Sequence, residues 1–362
     1  MKRRYRALLC AALIVALAGA GAAWVRARQD TPGPILYTVP LSGSPAALVV
    51  DGRTERVFVT AARDGAGSVL DARTGALVGV MLIPGAALAV DERAGTVFAV
   101  GPTVVSMLDA TNGRFLRQLA VGETPTTVAV DARVGHAFVV DPGNNAVYML
   151  DTRTGTVVRG QSMVMTPALV AVDEQGGQAL VTSGSPFVSV LDARSGASVR
   201  TAVLRASGGP LAVDGRSGHV FVLDPGGNSV AMLDMRAGLV LRRIAVGLFP
   251  VALAIDARRG RAYVVSRDEA TSFNPTTTGG VSVLDTRTGA VLRTIPVGVD
   301  PVAVAVDEES GRVFVATRGG TMVAPDRWRW LPSWLRGRLP FLPPPGPHLR
   351  VTPPGVTAFD LP

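Results

Sequence analysis

Short apolar runs that end in aspartate recur through most of the chain. Each repeat has two such landmarks, separated by turn residues. The first landmark is Asp51, Asp91, Asp131, Asp173, Asp214, Asp256 or Asp307, and the second is Asp71, Asp109, Asp151, Asp192, Asp234, Asp285 or Asp360. Runs of this length, rich in Val, Leu and Ile and bounded by Gly, Pro and Asp, predict β-strands.

Each repeat contains four of these runs. The first ends at the first landmark, the second is VFVV-like, the third ends at the second landmark, and the fourth precedes a Gly and a Pro. Four short strands in a repeat of about forty residues are typical of a propeller blade. The sequence therefore predicts an all-β fold, a seven-bladed β-propeller with four antiparallel strands in each blade.

The two ends of the repeat region complement each other. The last unit stops without a fourth strand, while ILYTVPLSGSP at 35–45 matches RTIPVGVDP at 293–301 in the sixth unit. We expect the N-terminal strand to complete the last blade and close the ring, since this leaves no free sheet edge at the junction. The propeller is predicted to span 35–362.

A separate N-terminal region precedes the propeller. Residues 7–25 are uncharged and mostly apolar, follow a basic start, and are long enough to cross a bilayer as a helix. Small residues near their end suit signal-peptide cleavage equally well. We therefore predict a signal peptide or signal-anchor helix over 1–28 and a linker over 29–34. The protein is anchored in the cell membrane and faces outward, or it is periplasmic or secreted after cleavage.

Composition narrows the possible partners. The net charge is +8, and four of the positive residues stand before the apolar run. The rest of the chain is therefore only weakly basic, which gives little reason to expect a nucleic-acid partner. The single cysteine, Cys10, lies in the apolar run and leaves no disulfide for the body. Lys2 is the only lysine among 36 basic residues, which indicates GC-rich coding and a bacterial source.

The repeat is similar to a known one. Written as P-V-A-V-A-V-D-x-x-x-G-R-V-F-V followed by V-S-V-L-D-x-R-T-G-x-V, it resembles the YVTN-type β-propeller repeats of bacterial and archaeal surface proteins. The chain departs from the namesake tetrapeptide, with YVVS at 263–266 and FVVD at 138–141. The resemblance implies surface binding or scaffolding.

Most acidic and histidine residues are explained by the repeat. The landmark aspartates open D-x-x-x-G turns, where the carboxylate accepts backbone N–H groups and Gly supplies a positive φ. Strand order places all these turns, with their arginines, on one face of the ring. His136 and His219 recur in register with arginines of other repeats, so we assign them a structural role and not a metal site.

Two insertions mark the opposite face. The landmarks are 29 residues apart in the sixth repeat and 53 in the seventh, against 18 to 20 in the other five. The insertions are 267–280 and 319–355, in equivalent loops of adjacent blades, and loops on a rigid scaffold often carry function. An N-terminal anchor attaches at the other face, so the insertions point away from the parent membrane.

The insertions supply the candidate binding residues, which are Trp328, Trp330, Trp334, Arg327, Arg329, Asp268 and Glu269, with Phe249 between blades nearby. Interleaved Arg and Trp suit recognition of a protein, an anionic glycan or a membrane interface. The alternative is a Pro-stiffened loop whose Trp rings pack over the propeller.

We therefore predict a non-enzymatic, extracytoplasmic binding or scaffold propeller without a cofactor. Its partner is an extracytoplasmic protein or glycan, and it contacts the membrane only through an uncleaved N-terminal helix. The alternative is a lactonase-like hydrolase or lyase with a divalent cation near the central channel, because propeller enzymes hold such an ion with oxygen ligands. Its candidate ligands are Asp64, Asp141, Asp224 and Asp268.

Overall fold

The computed structural model describes residues 35–61, 66–83, 87–183, 187–203, 209–267, 279–323 and 349–360. Their strands form seven four-stranded antiparallel sheets and one two-stranded sheet. The larger sheets are the blades of a propeller, which confirms the predicted fold class. The expected helix within 1–28 and the linker 29–34 lie outside these ranges. No helix in the described ranges is long and apolar enough to cross a membrane.

Blades 1 to 4 take their strands in chain order. These strands are β2 (Pro45–Asp51), β3 (Arg56–Ala61), β4 (Ala66–Asp71) and β5 (Leu77–Leu82); β6 (Ala87–Asp91), β7 (Thr96–Val100), β8 (Val105–Asp109) and β9 (Phe115–Leu119); β10 (Thr127–Asp131), β11 (His136–Asp141), β12 (Ala146–Asp151) and β13 (Val157–Ser162); and β14 (Pro167–Asp173), β15 (Gln178–Ser183), β16 (Phe187–Asp192) and β17 (Ser198–Val203).

Blades 5 and 6 follow the same order, and blade 7 combines both ends of the propeller. The strands are β18 (Leu211–Asp214), β19 (His219–Asp224), β20 (Ser229–Asp234) and β21 (Val240–Ala245); β22 (Pro250–Asp256), β23 (Arg261–Ser266), β24 (Gly280–Asp285) and β25 (Val291–Pro296); and β26 (Pro301–Val306), β27 (Arg312–Thr317), β30 (Gly355–Asp360) and β1 (Ile35–Pro40). The two-stranded sheet is β28 (Gly320–Val323) with β29 (Leu349–Thr352).

The hydrophobic core lies between the blades. The second strand of each blade has one large side chain at an equivalent position, and this side chain packs against the next blade around the ring. These residues are Phe58, Phe98, Phe138, Leu180, Phe221, Tyr263 and Phe314, and all are buried. Because both faces of a second strand are covered by neighbouring blades, its sequence is a continuous apolar run and not an alternating one.

The hairpin turns explain why Asp and Gly recur. In the turn after β4, Asp71 Oδ1 accepts the backbone N–H groups of Arg73 at 3.1 Å and Thr74 at 2.9 Å. The N–H of Gly75, whose φ is 73°, bonds to the Asp71 carbonyl at 2.8 Å. Side-chain capping followed by a left-handed glycine closes the hairpin. The turn chemistry predicted from the sequence is therefore confirmed.

The ring closes where the sequence places the junction. β1 pairs antiparallel with β30, with Tyr37 opposite Ala358 and Thr38 opposite Thr357. The hydroxyl of Tyr37 donates to the Ala72 carbonyl of blade 1 at 2.7 Å. Two ends of the chain that are far apart in sequence thus share one sheet, and that sheet is bonded to the first blade.

Arginines of the outermost strands link successive blades. The guanidinium donates to a backbone carbonyl in a turn of the next blade, at 2.7 Å for Arg117, 3.4 Å for Arg159, 2.6 Å for Arg200 and 2.9 Å for Arg242. Blade 1 has Gly79 at this position, where an added Cβ would lie 2.8 Å from the Asn112 carbonyl oxygen. The outer strand of blade 1 therefore supplies no arginine bond to blade 2, and Arg56 of β3 donates to the Thr111 carbonyl at 3.1 Å.

Candidate recognition face

The propeller presents two different ends. The turn face carries the D-x-x-x-G hairpin turns, and the insertion face carries the loops between second and third strands and the connections between blades. Both insertions leave from the insertion face, after β23 in blade 6 and after β27 in blade 7. The described residues at their bases define the part of the recognition edge that the structure shows.

Asp300 joins the bases of the two insertions. Its Oδ1 lies 3.0 Å from Nε of Arg267, the first residue of the blade 6 insertion, and its Oδ2 lies 3.8 Å from Nη1 of Arg318, which directly precedes the blade 7 insertion. The backbone N–H of Arg318 also donates to the Asp300 carbonyl at 3.0 Å. Asp300 has a φ of 50°, a left-handed conformation that non-glycine residues rarely adopt. We call these three residues the base clamp.

Phe249 lies directly beside the clamp. Its carbonyl accepts the backbone N–H of Arg267 at 3.1 Å, and its own N–H donates to Asn228 Oδ1 at 2.9 Å. The backbone is left-handed, with a φ of 47°, and the ring is exposed. The predicted binding residue Phe249 is thus held at the start of the blade 6 insertion.

The blade 7 insertion begins as a separate ribbon. β28 pairs antiparallel with β29, from Gly320 opposite Thr352 to Val323 opposite Leu349. The blade itself resumes just below, where Thr317 is paired with Gly355. The repeat pattern does not predict this ribbon, because its two strands are short and are separated by a long Pro-rich segment.

An apolar cavity of about 390 Å³ lies at the base of the ribbon, between blades 6 and 7. Its lining includes Val297 and Val299 after blade 6 and Pro353 and Pro354 at the end of the ribbon. Val299 directly precedes Asp300, so the cavity adjoins the base clamp. Apolar cavities beside a few fixed polar groups are common features of binding sites.

Several predicted site residues lie outside the described part of the chain. These are Trp328, Trp330, Trp334, Arg327, Arg329, Asp64, Asp268 and Glu269. Their place on the recognition edge stays a prediction. Of the binding candidates, the structure positions Phe249, and of the proposed cation ligands it positions Asp141 and Asp224.

Asp141 is bonded to the connection that enters blade 3 and to its own loop. The buried carboxylate accepts the backbone N–H groups of Glu123 at 2.9 Å, Thr124 at 3.0 Å and Gly143 at 3.1 Å. Burial opposes ionisation, but these bonds and one from the Thr124 hydroxyl outweigh it, and the pKa of Asp141 is lowered. A cation at Asp141 would have to displace these donors.

Asp224 is also engaged. It accepts the Gly227 N–H at 3.1 Å, and its Oδ2 lies 3.2 Å from Nη1 of Arg243. Within the described ranges, no group of three or more His, Cys, Asp or Glu residues is arranged to hold a metal ion.

The two histidines of the repeat make contacts between blades. Nδ1 of His136 lies 2.9 Å from the Ala193 carbonyl oxygen, and Nδ1 of His219 lies 2.8 Å from that of Thr286. Each bond reaches the turn after the third strand of the following blade. Arg312 makes the corresponding contact to the Ala72 carbonyl at 3.3 Å. The structure thus gives both histidines the structural role that their register predicts.

At the turn face, the channel mouth contains three glutamate carboxylates that bond to neighbouring blades and that were not among the predicted site residues. Glu92 accepts the Gly52 N–H at 2.9 Å, Glu174 the Ala132 N–H at 3.1 Å, and Glu308 the Ala257 N–H at 3.4 Å. Each bond joins two successive blades. Loss of solvation raises the pKa of all three carboxyls. The signal was available in the sequence as Glu directly after the landmark Asp.

Arginines surround the same mouth. Arg93, Arg133, Arg216 and Arg258 line a cavity of about 800 Å³ together with Glu174 and Glu308. Arg133 donates to the Glu174 carbonyl at 2.8 Å, and Arg258 Nε lies 4.0 Å from Glu308 Oε2. The guanidinium groups therefore offset the carboxylates of the neighbouring turns.

Comparison with known proteins identifies the fold only. No protein-family model matches the sequence, and no curated protein matches it. A solved structure of hydrazine synthase from Kuenenia stuttgartiensis is similar, with a TM-score of 0.62 and 18% identity, over 77% of this chain and 93% of that one. At this identity the likeness shows the fold alone. The class that the fold defines is a seven-bladed β-propeller, and similarity to YVTN-type repeats stays a prediction.

Proposed function

We propose that this chain is a non-enzymatic binding or scaffold propeller that works outside the cytoplasm. Its recognition edge consists of the blade 6 and blade 7 insertions on the insertion face. The resemblance to YVTN-type surface repeats supports this class of function, as does the apolar N-terminal segment, which suits export. The partner is an extracytoplasmic protein or glycan.

The observation that carries the proposal is the base clamp. Two insertions from separate blades can form one binding surface only if their bases are held at a fixed distance from each other. Asp300 contacts Arg267 and Arg318 at once, so each insertion starts from a residue bonded to the same carboxylate. A pre-organised binding surface avoids part of the entropy cost of association.

The sequence of the blade 7 insertion indicates the partner's chemistry. Between Val323 and Leu349 there are four arginines against one aspartate, together with three tryptophans. Arg and Trp are enriched among the residues that dominate protein interfaces, and Arg binds carboxylates and sulfates in a bidentate manner. An acidic protein surface or an anionic glycan fits this composition. The exposed Phe249 ring and the adjoining apolar cavity extend the surface toward blade 6.

The test compares the full chain with a variant in which residues 320–352 are replaced by a short Gly-Ser turn. The pairing of Thr317 with Gly355 lies below the ribbon, so the blade 7 sheet is retained. Both proteins are immobilised and challenged with solubilised cell-envelope proteins and with an array of sulfated and uronic-acid glycans. We expect saturable binding of a defined partner by the full chain and its loss in the variant.

A matched pair of single substitutions locates the site on the insertion face. Phe249→Ala removes an exposed ring beside the clamp, and Phe115→Ala removes an exposed ring from the outer strand of blade 2. Only Phe249→Ala should weaken binding. Equal binding by the full chain and the ribbon-free variant would refute the proposed edge, and catalytic turnover with a bound stoichiometric cation would favour the enzyme alternative.

A further inference from the structure

The outer edge of blade 1 differs from the other six. In each blade the fourth strand is the last in its sheet, so within the described part of the chain one row of its backbone N–H and C=O groups has no strand partner. Unprotected edges of this kind pair with other chains, and natural proteins protect them with charges, proline or β-bulges. The outer strands of blades 1 to 6 all have a register shift near their start, so only charge and proline distinguish them. Arginine stands in the middle of five outer strands, and β1 ends in Pro40. β5, with the sequence LVGVML, has neither a charge nor a proline.

The side chains of β5 are also unusually exposed. Val80 and Leu82 lie on one face of the strand, and Val80 is 56% and Leu82 83% exposed. The exposed Val78 lies at the register shift between Leu77 and Gly79. Val80 is paired with Ser68 in blade 1, and Thr294 is paired with Ser282 in blade 6. Val80 and Thr294 therefore occupy equivalent positions. Where other outer strands have Thr294, Gln118 or Arg243, blade 1 therefore presents an aliphatic side chain.

This strand is complementary to a second copy of itself. When two identical strands pair antiparallel about Val80, Val80 faces its counterpart and Leu82 faces the bulged Leu77–Val78 segment of the other copy. The result is apolar contact at three cross-strand positions, related by a two-fold axis. The absence of charge in β5 means that no like charges oppose this pairing. In β21, Arg242 and Arg243 would produce such repulsion.

We infer that two copies of this chain associate through antiparallel pairing of their β5 strands. The backbone edge supplies hydrogen bonds, and the Val78, Val80 and Leu82 side chains supply the apolar contact. The interface lies on the outer rim of blade 1. It is distinct from the insertion face, and it does not depend on the proposed function.

Strand direction fixes the relative orientation of the two rings. Each outer strand runs from the turn face toward the insertion face, so antiparallel pairing points the insertion faces of the two copies in opposite directions. The first residue of β1 then lies on opposite sides in the two copies. Self-pairing therefore requires copies that are not both tethered to one membrane through residues 7–25.

The first experiment is native mass spectrometry of the full chain over a range of concentrations, about 1 to 100 µM, because dimer formation follows mass action. We expect a species at twice the 37.5 kDa monomer mass. Val80→Lys places like charges opposite each other and should weaken the dimer by about tenfold or more. Thr294→Lys adds the same charge at the matching position of blade 6 and should leave the dimer intact.

The second experiment traps the pairing directly. In a Cys10→Ser background, Val80→Cys places two thiols opposite each other across the two-fold axis and should form an intermolecular disulfide under mild oxidation. Thr294→Cys in the same background should stay monomeric on a non-reducing gel. A wild type that is monomeric throughout the range, a dimer that survives Val80→Lys, or equal cross-linking at both positions would overturn the inference. Unchanged melting temperatures of the variants establish that they are folded.

Discussion

Removal of the Asp141 carboxylate tests whether the buried acids of the insertion face serve the fold. Asp141 lies at the end of β11 and binds the connection that enters blade 3 through the N–H groups of Glu123 and Thr124. It also receives the N–H of Gly143 in its own loop. Asp141→Ala leaves the N–H groups of Glu123 and Thr124 and the Thr124 hydroxyl without this acceptor, whereas the Gly143 N–H keeps its 2.9 Å bond to Thr124 Oγ1.

The expected loss of stability follows from these bonds. A hydrogen bond to a charged group contributes about 1.5–3 kcal/mol to the free energy of unfolding. The sum over the four bonds of Asp141 is an upper bound, and we expect the measured loss to be smaller. Glu123, Thr124 and Gly143 are exposed, so water replaces the carboxylate at part of its donors. We therefore expect Asp141→Ala to lower the free energy of unfolding by about 2–4 kcal/mol.

The effect has a defined pH dependence. The folded state lowers the pKa of Asp141, so its contribution is present above the unfolded pKa of about 4 and is lost as pH falls through the lower folded value. The difference between wild type and Asp141→Ala should consequently be largest near neutral pH. It should shrink progressively below about pH 4.

Urea unfolding followed by circular dichroism at pH 7 and in acid measures this difference. Asp224→Ala is the control, because it removes a carboxylate that binds Gly227 and the half-exposed Arg243. A loss of about 1 kcal/mol is expected for the control. The reasoning fails if Asp141→Ala is no more destabilising than Asp224→Ala, or if its effect does not change with pH.

Three further predictions concern the clamp, the ring and the channel mouth. Asp300→Asn should shift the melting temperature by less than about 3 °C, since exposed ion pairs contribute little, yet it should weaken partner binding severalfold in a titration with the isolated partner. Arg200→Ala removes a hydrogen bond of 2.6 Å to the next blade and should lower the free energy of unfolding, measured in urea, by about 1 kcal/mol. An unchanged free energy of unfolding would show that this bond does not stabilise the ring. Lost solvation raises the pKa of Glu92, so the ionised form destabilises the folded protein above that pKa. Glu92→Gln retains the acceptor for the Gly52 N–H and should raise the melting temperature at pH 7. This gain should vanish below about pH 4.5, where the Glu92 carboxyl is protonated in the folded and unfolded states. A lower melting temperature of the variant at pH 7 would contradict this reasoning.

The repeat pattern was sufficient to predict the blades because their determinants are local. An apolar run long enough for one strand, a landmark such as Asp71 and a following Gly75 specify strand and turn without reference to distant residues. The same pattern gave the closure of the ring, since a missing strand at one end had its match at the other. The ribbon of β28 and β29 escaped prediction because two four-residue strands separated by a long segment carry little local signal.

The candidate site was predictable only as a region. Unequal landmark spacing identified the insertions, and a single exposed ring, Phe249, could be placed near them. The clamp could not be foreseen, because Arg267, Asp300 and Arg318 belong to different segments and acquire their relation only through the packing of blades 6 and 7. Asp300 in particular looks like an ordinary turn residue in the sequence.

The sequence by itself thus determined the fold class, the number of blades, the turn chemistry and the face from which the insertions leave. Only the tertiary structure decided which side chains bridge blades, which carboxylates are fully bonded, and which outer strand is left unprotected. The physical reason is that strands and turns are governed by neighbours within a few residues, whereas burial, solvation and the contacts of a guanidinium depend on residues that the ring brings together from distant repeats.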